Sequence, residues 1–230
     1  MKMKLEAILK RTEAQPGAPP WHARKIVVPV LGVIAVAAVI LGLTASTVIL
    51  LLPTDRGTNT GPQAPPSAVF LRSDTTTQGT WKGKYGSAGF ALANDAKNIP
   101  PYARIALPGK SNTATWVDPA GDVRALQKVA AGRRIAATWW AWSSLNIDVN
   151  LTDDKTHRVS LYFTDWDSTA RVENIEVLDA IDQRVLDVRQ ISKFTDGEYL
   201  VWNMTGHVTI RATRVEGANA VASAVFLDWQ

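Results

Sequence analysis

Two patterns in the 230 residues predict an all-β outer domain carried on one N-terminal transmembrane α-helix. The outer domain is expected to be a two-sheet antiparallel sandwich with one short helix. The first pattern is an uncharged run of 27 residues, Ile26 to Leu52. The second is a series of short alternating apolar and polar stretches after residue 67. Gly, Asp and Asn clusters separate many of them at about 8–12-residue spacing, the rhythm of a sandwich or barrel. Composition agrees with a folded chain: hydrophobic residues make up 46%, and the 15 Gly and 12 Pro follow no repeat. The absence of Cys excludes disulfide scaffolds, thiolate metal sites and thiol catalysis.

Residues 1–25 form a basic tail, with Lys2, Lys4, Lys10, Arg11, Arg24 and Lys25 against Glu6 and Glu13. The rest of the chain holds 19 basic and 19 acidic side chains, so the net charge of +4 belongs to the tail. A nucleic-acid-binding face needs basic residues clustered on the folded part. None are, and no nucleic-acid partner is expected.

Residues 26–52 are long enough to cross a bilayer. As a helix they reach roughly 40 Å, against about 30 Å of hydrocarbon. The run is nearly twice the length of a signal peptide's apolar region, and no small-x-small cleavage site follows Leu52, so an uncleaved anchor is expected. The excess of Lys and Arg before the span places residues 1–25 in the cytoplasm and the rest outside. Ala38, Gly42 and Ser46 recur at four-residue spacing, a helix-packing face that lets a second membrane helix approach closely, unless the spacing is chance. Residues 53–67 are rich in Pro, Gly, Thr and Asn and read as an extended tether.

Within residues 68–230, strands are expected over 68–72, 90–93, 103–107, 114–117, 134–142, 145–151, 157–164, 172–179, 184–191, 199–204, 207–214 and 220–228. Val159, Leu161 and Phe163 alternate with Ser160, Tyr162 and Thr164, so one face of that strand is core. Residues 122–131 (DVRALQKVAA) have a capping Asp and a helical apolar spacing, which predicts the one short helix.

A resemblance emerges from this point of the chain. Its elements are Thr77-Gln78-Gly79-Thr80-Trp81, Tyr85-Gly86-Ser87-Ala88-Gly89-Phe90, His157 to Phe163 and Asp165-Trp166-Asp167. Arg171, Ile175, Val177 and Asp179-Ala180 follow, then Gly197 to Trp202 and Gly206-His207-Val208. The series resembles the galactose-binding-like jelly-roll modules, malectin-like ones included, of bacterial surface proteins and secreted glycosidases. It spans about residues 74–229. The resemblance implies a jelly-roll sandwich that serves either sugar binding or protein–protein contact. With the anchor, it implies the bacterial inner membrane, with the C-terminal domain periplasmic or extracellular. The layout also resembles accessory subunits of photosynthetic reaction-centre–light-harvesting complexes.

Tryptophan supplies the candidate contacts. Eight of the nine lie in the outer domain. Alternation puts Trp140 and Trp142 on one face of their strand and Trp139 on the other. An exposed indole suits stacking on a sugar ring or an interface hot spot, while a buried one covers core. Trp166 lies between Asp165 and Asp167, a loop pattern that suits either Ca²⁺ held with backbone carbonyls or a plain turn. No other cofactor is expected. Catalysis has no support: no nucleophile-elbow Gly-x-Ser-x-Gly occurs, and the spread acids give no preferred pair.

Two functions follow as expectations. One is a non-catalytic accessory subunit that packs its helix among other membrane-protein subunits and braces partners through the outer domain. The other is a membrane-tethered carbohydrate-binding module.

Overall fold

The computed structural model describes residues 64–130 and 132–229. The expected basic tail, the transmembrane helix and its Ala38/Gly42/Ser46 face lie outside the described residues, as does most of the tether. Among the described residues no helix is long and apolar enough to cross a membrane.

Among the described residues there are fifteen strands. The first eight are β1 (Ser67–Asp74), β2 (Gly89–Leu92), β3 (Lys97–Asn98), β4 (Ala103–Ala106), β5 (Asn112–Val117), β6 (Leu126–Gln127), β7 (Arg134–Ala141) and β8 (Ser144–Leu151). The rest are β9 (His157–Phe163), β10 (Val172–Asp179), β11 (Val185–Ser192), β12 (Glu198–Thr205), β13 (His207–Glu216), β14 (Ala220–Ala222) and β15 (Ala224–Asp228). All pairs are antiparallel. A six-stranded sheet runs β1-β12-β9-β15-β2-β3, a five-stranded sheet β11-β10-β13-β8-β4, and a four-stranded group β14-β7-β5 with β6 on β7.

Three hydrogen-bonded sheets thus replace the two expected, because the strand expected over 220–228 breaks. At Ser223 the backbone leaves β7 and bonds elsewhere: its N–H donates to the Tyr162 carbonyl (2.8 Å) and its carbonyl accepts from Ala93 N–H (3.0 Å). One continuous stretch therefore joins two sheets.

The main core lies between the sheets. Val159, Leu161 and Phe163 of β9 meet Ile175 and Val177 of β10, Val208 and Ile210 of β13, and Ile147 and Val149 of β8. Trp202 is fully buried there, its indole N–H donating to Asp187 (2.7 Å). The other face of β9 is buried too. Tyr162, Tyr199, Val201, Phe226, Trp81, Tyr85 and Leu126 form a second cluster on the outside of the six-stranded sheet. Its cover is the irregular stretch from residue 75 to 88 together with the turn before β6.

The polar tips of this cluster tie the cover down. Tyr199 donates to the Gln78 carbonyl (2.6 Å), Tyr162 to the Arg124 carbonyl (2.7 Å), Trp81 to the Gln127 carbonyl (2.7 Å) and Tyr85 to Asp74 (2.7 Å). Tyr85 and Tyr199 stack at 4.2 Å. Buried tyrosines keep a hydrogen bond for their hydroxyl, which fixes where the cover sits.

The cover also explains why the short helix expected over 122–131 is absent. Gly79 N–H bonds the Val123 carbonyl (2.9 Å), and Gln127 N–H turns to the Gly79 carbonyl (3.0 Å). Those groups are spent outside any helical ladder, so Leu126–Gln127 pair with β7 instead. Among the described residues the helical piece that does occur is one 3-10 turn, Phe194–Asp196.

Gly197, which ends that turn, has φ of 87°, and a Cβ built on it would lie 1.9 Å from the Tyr162 hydroxyl. Gly197→Ala combines left-handed strain with displacement of a buried ring. It is expected to lower stability by about 2–4 kcal/mol. Urea unfolding monitored by tryptophan fluorescence measures this, and a loss under about 0.5 kcal/mol would show that the cover is not held as described.

Candidate functional site

The sequence-predicted tryptophans divide by burial. Trp139 is buried in the main core, and part of it lines a depression of about 490 Å³ between residues 91–97 and 105–107. Trp140 is half-buried. Trp142, one residue beyond β7, is 70% exposed and meets Trp140 edge-on at 5.0 Å. Trp166 is half-buried under the Arg124 guanidinium, 4.6 Å from its ring. Trp140 and Trp142 are brought together, and no ring contact among the described residues joins Trp166 to them.

Asp165 and Asp167 both close on Arg171, which is buried. The guanidinium donates to Asp165 and to Asp167 (2.6 Å), Arg171 N–H donates to Asp165 (3.0 Å), and Nε donates to Asn219 (3.0 Å). Burial alone raises a carboxyl's pKa, but the Arg171 and Trp116 donors outweigh it and hold Asp167 below the usual carboxylate range. A guanidinium thus stands between the two acids where the sequence allowed a cation. Among the described residues no group of three or more His, Asp or Glu is placed to hold a metal ion.

Beside this network, Glu173 of β10 is fully buried. Its Oε1 accepts from Val221 N–H (3.0 Å) and its Oε2 has no partner. Burial pushes its carboxyl up to about 8.

At the other end of β9 the polar groups are arranged differently. Trp229, directly after β15, is 59% exposed and forms a ridge between two depressions. One, of about 400 Å³, is lined by Lys82, Lys84, Ser87, Arg158 and Asp228 among others. The second, of about 440 Å³, is lined by Asp153, Lys155, Thr156 and His157. A column of rings supports the ridge: Tyr102 lies 5.7 Å from Trp229 and stacks on His157 at 4.1 Å. His157 Nε2 contacts both oxygens of Asp153 (2.9 and 3.0 Å), which fixes the column's base.

Three polar atoms around this ridge lack partners: the Tyr102 hydroxyl, Arg158 Nε and Asp228 Oδ2. Asp228 is 5% exposed, and its Oδ1 accepts from Ser87 N–H (2.7 Å) and the Ser87 hydroxyl (2.9 Å). Asp228 and Arg158 face each other across β15 and β9, yet no ion pair joins them. Burial, then Asp153 and Asp228, raise the Tyr102 pKa, so the phenol stays neutral and keeps its proton to donate.

None of these four residues stands out in the sequence reading. The usable signal was Asp228-Trp229 itself, an acid and an indole that break the apolar run at the end of a strand.

No protein family and no curated protein matches this chain by sequence. Among solved structures, the chain is similar to a carbohydrate-binding module, TmCBM61, determined in complex with β-1,4-galactotriose. Identity is 14%, the match covers 55% of this chain and 83% of that one, and the TM-score is 0.28. A likeness of that extent leaves function to the local geometry.

The Glu173 pKa has a consequence for stability. The folded-state value of about 8 exceeds the ordinary 4.5, so the folded protein holds a proton that the unfolded chain has lost between those values. Stability therefore falls as pH rises through this window and levels off above about 8, by roughly 1.4 kcal/mol per pH unit at most. Glu173→Gln is expected to remove this slope and to be more stable than the parent at pH 7. Thermal unfolding between pH 5 and 9 checks it, and parallel profiles for the two proteins would refute the assignment.

Proposed function

We propose that the outer domain is a non-catalytic saccharide-binding module whose platform is Trp229. One juxtaposition supports this: an exposed indole beside an unpartnered acceptor, Asp228 Oδ2, and an unpartnered donor, Arg158 Nε. A sugar ring has apolar C–H faces that stack on an indole and hydroxyls that both donate and accept. Both atoms are closed to solvent, so a sugar hydroxyl meets them as the Asp228 and Arg158 side chains turn toward the depression they line. Leaving each unmet costs about 1–3 kcal/mol, which a bound hydroxyl offsets. The ring column behind Trp229 holds it in place before ligand arrives, so little ordering entropy is lost on binding.

The accessory-subunit reading keeps one favouring observation. Trp142 is a strongly exposed indole backed by a second ring, the kind of side chain that anchors protein interfaces. It has no unmet polar partner beside it, which is why the saccharide reading is preferred for the domain.

Trp229→Ala in the full chain is expected to weaken binding to a retained polysaccharide by about tenfold or more, equivalent to 1.4 kcal/mol. Circular dichroism and thermal unfolding should stay close to the parent because the ring is mostly exposed. Affinity electrophoresis across a polysaccharide panel measures this. Retention unaffected by Trp229→Ala, and reduced instead by Trp142→Ala, would move the contact surface to the other end.

A further inference from the structure

We infer that the saccharide taken at Trp229 is acidic, a chain carrying carboxylate or sulfate groups. This rests on the saccharide reading above and concerns the class of sugar.

The charge beside Trp229 is one-sided. The depression below it is lined by Lys82, Lys84 and Arg158 against the single carboxylate of Asp228. None of these three cations forms an ion pair. Lys82 Nζ reaches only the neutral Val129 carbonyl (3.1 Å), and Lys84 Nζ reaches the Thr77 hydroxyl (3.3 Å), which in turn donates to Asp74 (2.6 Å). Across the ridge, Lys155 stands against Asp153, so the second depression adds no excess of either sign.

Several cations elsewhere in the domain are paired. Arg124 pairs with Asp122, Lys128 with Asp118, Arg171 with Asp165 and Arg189 with Asp187. In a domain whose basic and acidic residues balance overall, Lys82, Lys84 and Arg158 put an excess of positive charge on one flank of an exposed indole.

The chemistry of the ligand follows from the division of labour. Asp228 and the Arg158 Nε suit a neutral ring hydroxyl at the floor. Lys82 and Lys84 line the same depression, where a uronate or sulfate on the same or an adjoining sugar meets an ammonium group. Acidic chains are favoured over neutral ones by attraction that salt weakens.

The test uses the full chain in affinity electrophoresis and calorimetry, with polygalacturonate and dextran sulfate as acidic probes and galactan and dextran as neutral ones. At about 50 mM NaCl the acidic probes should bind about tenfold tighter than the neutral ones, and the gap should narrow at about 500 mM. The double variant Lys82→Gln/Lys84→Gln should lose about tenfold for the acidic probes at about 50 mM NaCl, and that loss should shrink at about 500 mM. Equal binding of acidic and neutral probes, or an indifferent double variant, overturns the acidic assignment while the saccharide reading stands. Acidic binding that survives Trp229→Ala undiminished is charge attraction without the platform and overturns the assignment to this site. Retention of none of the four probes at either salt overturns the acidic assignment and counts against the saccharide reading itself.

Discussion

The outer face of the six-stranded sheet has to be covered, and much of the architecture follows from how that is done. Tyr162, Tyr199, Val201 and Phe226 sit on that face, too apolar to leave in water. Each large side chain buried there contributes about 1.5–3 kcal/mol. The stretch from 75 to 88 and the turn before β6 supply the lid, which has little regular structure of its own. Phenol and indole tips pin it at fixed backbone carbonyls. Burial raises Tyr85 to about 12 and lifts Tyr162 and Tyr199 beyond the ordinary tyrosine range, so the hydroxyls remain protonated donors. The same lid brings Ser87 onto Asp228 and lays Lys82 and Lys84 along the wall beside Trp229. The candidate site is therefore an edge of the lid, and its geometry is set by packing several residues away.

The two ends of β9 treat polar groups in opposite ways. Past Phe163, the Arg171 guanidinium gathers Asp165, Asp167 and Asn219 into one network, with the buried Glu173 beside it. Near His157, an acceptor, a donor and a phenol stay unmet around an exposed ring. A satisfied buried network fixes structure, whereas unmet groups beside an apolar surface leave room for a ligand's own hydroxyls.

Much of the strand pattern was legible because it rests on alternation. Val159, Leu161 and Phe163, and likewise Ile175 and Val177, repeat every second residue and lie in the main core. What alternation could not convey was that the intervening Ser160 and Tyr162 are buried as well, since their cover has no period to read. The helical spacing of residues 122–131 was real as a pattern but lost to tertiary hydrogen bonds from Gly79. The short β3 and β6 carry only two residues each, too few for any periodic signal. At the site, a tryptophan-rich strand drew attention to Trp139, Trp140 and Trp142. Trp229 is a single ring, and its neighbours come from Tyr102 just before β4, from β9 and β15, and from the 81–87 stretch, which only folding brings together.

The break at Ser223 has a consequence for biosynthesis. Residues 220–222 complete one sheet beside β7, and residues 224–228 wedge into the middle of another, between β9 and β2. The six-stranded sheet cannot close until translation has passed this point, and β9 and β2 wait without the strand that lies between them. A message cut short just upstream of codon 224 would yield a polypeptide with nearly all its apolar surface and no means of sealing it. Such a product belongs to the quality-control proteases rather than to a population of partly active molecules.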